Sequence, residues 1–73
     1  KLISATTASK QIANALKAHP SQQVFEFEFA FSVNQTTAGK YAHNAITNAE
    51  RYGRYSTALI RSNVLIIMFE PAL

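Results

Sequence analysis

The sequence predicts a small α+β sandwich of two layers, with element order (β)αβαββ, a sheet of three or four strands, and two helices packed on one face. Three observations carry that expectation. Val24 to Val33 alternates almost perfectly, with Phe25, Phe27, Phe29, Phe31 and Val33 on one side and Val24, Glu26, Glu28, Ala30 and Ser32 on the other. That is the period of a strand, since a helix would scatter the four phenylalanines around its axis. Stretches before and after it space their apolar residues for helices. Two β-rich runs then follow, separated by Ser62-Asn63.

In chain order, Lys1 to Ser4 reads as a short strand, and Thr6 or Thr7 offers a side-chain oxygen to cap a helix. Ala8, Ile12, Ala15, Leu16 and His19 form its apolar stripe, with Lys10, Asn14 and Lys17 opposite. Pro20 ends this helix and pushes His19 out of helical geometry. The phenylalanine strand follows. Asn34-Gln35-Thr36-Thr37 supplies turn and cap chemistry for a second helix, from Ala38 to Tyr52, which Gly53 closes. Ala38, Ala42, Ala45 and Ala49 give that helix a flat side, flanked by Tyr41, Ile46 and Tyr52. Bulky side chains pack well against small ones, so this side is expected on the phenylalanine face.

Tyr55 to Arg61 and Val64 to Glu70 read as a hairpin with a two-residue turn. Pairing Arg61 with Val64 puts Ile60 opposite Leu65, Leu59 opposite Ile66, Ala58 opposite Ile67 and Thr57 opposite Met68. Ala58, Ile60, Leu65, Ile67 and Phe69 then join the phenylalanine face. Tyr55, Thr57, Leu59, Arg61, Val64, Ile66, Met68 and Glu70 fall on the other, and Pro71 stops the ladder.

Residues 1–73 form one domain, near the lower size at which a single core suffices. There is no cysteine, and the two histidines are far apart, so neither disulfides nor a structural metal supplement the core. Self-association or a protein partner is the supplement that is left. No apolar run is long enough to span a membrane. The cytoplasm is the favoured compartment, with secretion after processing as the alternative because the chain begins at Lys1 rather than Met.

Chemistry has little to work with. The chain contains neither Asp nor Cys, so a catalytic triad in its usual form is excluded. His19 and His43 each stand alone, and Gly39 and Gly53 make no phosphate-binding loop. Glu26 and Glu28 share one strand face, where they read as edge charges or as partners for Arg54 or Arg61 rather than as an acid–base pair. Asn34-Gln35-Thr36 matches a glycosylation sequon, a triplet common by chance. No enzyme, cofactor or small-molecule substrate is expected.

Two surfaces remain. Val64 to Phe69 is apolar on both sides, as strands covered on both faces are, yet two helices shield only one face of so small a sheet. Scattered apolar residues are ordinary on any surface. A contiguous patch points instead to a homodimer or a protein partner, with Leu59, Val64, Ile66 and Met68 as the contact and Tyr55 and Arg61 at its rim. The alternative is nucleic acid. Lys40, His43 and Arg51 line one side of the second helix, and with Tyr52, Arg54, Tyr55 and Arg61 they interleave cations and aromatic rings. The bland view of that stripe is a solvated helix side with a Glu50–Arg54 pair. A net charge of +3 raises the nucleic-acid case only slightly. In size and plainness the chain resembles small phage and plasmid accessory proteins, which act by occluding a surface of a larger partner; no motif carries that likeness.

Overall fold

The computed structural model describes residues 2–71, so Lys1 of the expected first strand lies outside the described residues. A 3-10 turn, Ala5–Thr7, leads into α1 (Ala8–Ala18), followed by β1 (Val24–Glu28), α2 (Gln35–Asn48), β2 (Tyr55–Ile60) and β3 (Val64–Phe69). The sheet is antiparallel with order β1-β3-β2. Of the expected first strand, Ile3 makes a single parallel bridge to Phe29, with its N–H 2.8 Å from the Glu28 carbonyl oxygen. The result is the α+β sandwich that the sequence predicts, with both helices on one face.

One hydrophobic cluster joins the two layers. Phe25, Phe27, Leu65 and Ile67 point inward from the sheet and meet Ile12 and Leu16 of α1 and Ala38, Ala42, Ala45 and Ile46 of α2. The alanine side is buried as expected, and α2 shares the phenylalanine face with α1, whose Gln11, Asn14 and Ala15 border Phe27. Small residues on α2 let it approach closely, so the large rings of the sheet have room to pack between the layers. Phe29, Phe31 and Tyr41 form a three-ring cluster with centroids 5.3–6.3 Å apart. An aromatic pair contributes about 0.5–1.5 kcal/mol beyond its area burial.

Three element ends depart from the sequence expectation. The phenylalanine strand pairs with β3 only as far as Glu28, not Val33, because the chain bends at Ala30 and Phe31 and the Val33 N–H donates to the Ser62 carbonyl across 2.7 Å. Helix α1 gains no side-chain cap from Thr7. Instead the Thr7 hydroxyl lies 2.7 Å from that of Ser4, whose backbone N–H donates to Gln11 Oε1 across 2.9 Å.

The third departure is at the end of α2, which stops at Asn48 rather than Tyr52. Glu50, at φ 54°, takes the left-handed position expected of Gly53. Its N–H donates to Thr47 and that of Arg51 to Ile46, the paired bonds that satisfy the last carbonyls of a helix. The other end agrees with expectation. The Asn34 side chain accepts from the Thr37 N–H across 2.8 Å and caps α2.

The hairpin register is also corrected. The turn contains three residues, Arg61-Ser62-Asn63, and Ile60 pairs with Val64, Leu59 with Leu65, Ala58 with Ile66, and Thr57 with Ile67. A slip of one residue exchanges the two faces of a strand. Tyr55, Thr57 and Leu59 therefore face the helices, while Ser56, Ala58 and Ile60 face away. The turn is held by β1's extension, because the Phe29 N–H donates to the Asn63 carbonyl across 2.7 Å and Val33 holds Ser62. Arg61 adopts φ 61° to make this possible, a conformation that costs a non-glycine residue about 1–2 kcal/mol.

Candidate interaction surface

The outer face of the sheet is a grid of three rows, fixed by the strand register. Val24, Met68 and Ser56 form one row; Glu26, Ile66 and Ala58 the next; Glu28, Val64 and Ile60 the third. Both helices lie on the opposite side. Val24 is 55 % exposed, Ile60 45 % and Met68 41 %, so none of them is covered. Ile66, at the centre, is half-buried by its strand neighbours alone. Six of the nine grid positions are apolar, and both carboxylates lie on β1. Strand spacing and rise give the grid an area of roughly 250 Å².

Val64, Ile66 and Met68 stand where the sequence puts them. Leu59 and Tyr55 do not, since the corrected register turns both toward the helices, where they pack against the core. Ala58 and Ile60 replace them, and Val24 extends the patch onto β1. Arg61 remains exposed at the hairpin tip beside the Val64–Ile60 row. The missed positions carry a signal in the sequence. Of the two sides of β2, the one bearing Tyr55 and Leu59 is the bulkier, and bulk belongs on the side that the helices cover.

The expected basic stripe is not one surface. Lys40 and His43 are exposed on α2, with His43 Nδ1 3.5 Å from the Tyr55 hydroxyl. Arg51 is drawn inward. Its guanidinium carbon lies 4.1 Å from the centre of the Phe69 ring and 5.1 Å from that of Phe25. Its Nη1 donates to the His19 carbonyl across 3.2 Å, and Nη2 donates to the Gln22 carbonyl. The planar fork thus ties the end of α1 to the end of α2 and to the sheet. Tyr52 is 74 % exposed. Arg54 pairs with Glu70 at 3.5 Å rather than with Glu50. Arg61 stands at the far end of β2 from Arg54, roughly 20 Å along an extended strand.

Glu26 and Glu28 are exposed and opposite Ile66 and Val64, with neither Arg54 nor Arg61 across from them. Among the described residues, no polar or charged side chain is buried and no three His, Cys, Asp or Glu gather as a metal site would require. Among them, too, no helix is long and apolar enough to cross a membrane. No family model matches the chain, and comparison with curated proteins and with solved structures gave no match.

Proposed function

We propose that the protein is a non-enzymatic interaction module, an oligomeric or partner-bound accessory or inhibitor-type protein that acts by protein–protein contact. The contact is the outer sheet face, with Ile66 at its centre and Val24, Ala58, Ile60, Val64 and Met68 around it. One observation carries this reading: the apolar residues of three strands form one contiguous patch that neither helix covers. Removing such a patch from water favours association by about 25 cal/mol per Å² of apolar area. A face of roughly 250 Å² is small beside the ~800 Å² per partner of a standard interface, so by itself it supports weak, concentration-dependent contact.

The test is association measured with and without Ile66→Lys, which places a charge at the centre of the patch without touching the core. Association that tolerates salt and is lost in Ile66→Lys and in Met68→Glu supports the proposal. Wild-type and Ile66→Lys proteins that associate alike would count against it. The nucleic-acid alternative has to rest on Lys40, Arg54 and Arg61, because Arg51 is engaged within the fold. It predicts binding that falls steeply with salt.

A further inference from the structure

We infer that the protein forms a two-fold dimer by antiparallel pairing of β2 with β2 of a second copy, which joins two three-stranded sheets into one of six. This inference rests on the reading that the protein works by association, and it names the partner. The two edges of the sheet are treated in opposite ways. At the β1 edge, the carbonyl of Val24 accepts from the Gln22 side chain across 2.7 Å, and that of Glu28 accepts from Ile3. Glu26 and Glu28 add carboxylates beside it. These are devices that keep an edge strand from pairing.

The β2 edge has none of them. From Tyr55 to Ile60 there is no charged residue, proline or glycine. The Glu70 N–H donates to the Arg54 carbonyl across 3.0 Å, which sets the alternation along β2. Ser56, Ala58 and Ile60 turn their backbone groups toward β3, and Tyr55, Thr57 and Leu59 turn theirs away. Among the described residues the sheet order places no strand on that side.

Those outward groups are self-complementary about Thr57. With the two-fold axis there, Thr57 exchanges both hydrogen bonds with Thr57 of the second copy, and Tyr55 lies opposite Leu59 in both directions. Directly opposite cross-strand side chains lie ~5 Å apart, close enough for the Tyr55 ring and the Leu59 side chain to be in contact. Charge points to the same occupant. Pairing two β2 strands brings no like charges opposite each other within the strands, whereas pairing two β1 strands would set carboxylate against carboxylate. Pairing β2 with β1 of another copy would propagate without closing, against an edge that Ile3 already occupies. The closed dimer also joins the two outer faces, with six of nine grid positions apolar in each, into one continuous surface of roughly 500 Å².

The experiment uses the complete chain. The Thr57 N–H points away from β3, so Thr57→Pro removes a donor that the monomer does not use, and dimerisation should weaken at least tenfold while the circular dichroism is kept. A second variant covers loss of the fold. The chain has no cysteine, so in Thr57→Cys a disulfide joins only two copies. Antiparallel pairing sets those Cα atoms ~5.5 Å apart, within disulfide reach. Oxidation should give a covalent dimer from Thr57→Cys and none from a Lys17→Cys control on the exposed side of α1. Association lost in Ile66→Lys but unchanged in Thr57→Pro, with no cross-linking at residue 57, overturns the edge pairing and leaves the face reading intact. A wild-type chain that stays monomeric, with the amides of Tyr55, Thr57 and Leu59 exchanging freely, also overturns it and leaves the edge to an extended segment of another protein.

Discussion

Arg51 provides the sharpest test of how the layers are held together. Arg51→Ala removes a guanidinium stacked on Phe69 and beside Phe25, together with its two hydrogen bonds to the His19 and Gln22 carbonyls. The stacking contributes about 0.5–1 kcal/mol at a partly exposed site. Each charge-assisted bond, discounted for its contact with solvent, adds about 1 kcal/mol. The expected loss is therefore about 2–3 kcal/mol, a large part of the ~3–5 kcal/mol that a core of this size supplies. Urea unfolding followed by circular dichroism measures it. With a slope of about 1 kcal/mol per molar, the midpoint should fall by about 2–3 M. Arg51→Lys keeps the charge but not the planar fork, and should lose more than half as much. If Arg51→Ala moves the midpoint by less than about 0.5 M, or Arg51→Lys matches the wild type, the clamp contributes little and this reasoning fails.

Other substitutions probe individual elements. Glu50→Gly removes a left-handed non-glycine residue from the end of α2 and should stabilise the chain by about 0.5–1 kcal/mol, raising the calorimetric midpoint by about 3–6 °C. Asn34→Ala takes away the cap of α2, and chemical denaturation should show a loss of about 1 kcal/mol. The register is tested by neighbours on β2. Leu59→Lys forces a charge toward the helices and should cost more than about 2 kcal/mol, whereas Ile60→Lys faces solvent and should stay within about 0.5 kcal/mol. Equal losses at the two positions would restore the two-residue turn.

The parts legible in the sequence were those with a strong period. The alternation of Val24–Glu28 places β1, the alanine spacing from Ala38 to Ala45 places the buried side of α2, and Pro20 places the end of α1. What sequence reasoning missed was decided by contacts distant along the chain. The turn Arg61-Ser62-Asn63 is held open by Phe29 and Val33, some thirty residues earlier, and nothing local distinguishes it from a two-residue turn. That single residue moved Leu59 and Tyr55 out of the candidate patch and moved Ala58 and Ile60 into it. Arg51 was misread for a similar reason. Its spacing along α2 suits an exposed cation, but the helix stops at Asn48, and Glu50 redirects the chain so that Arg51 falls between Phe25 and Phe69. Gly53 has the residue type usual for such a turn, but Glu50 makes it.

Sedimentation equilibrium over a wide range of concentration tests most directly whether the uncovered sheet is a contact surface. The weight-average mass should rise from the 8.1 kDa of one chain toward twice that value or beyond, at low and at high salt alike. A mass that stays at 8.1 kDa at every concentration, with no protein partner adding to it, would contradict the claim that this sheet presents more apolar surface than its own helices shield.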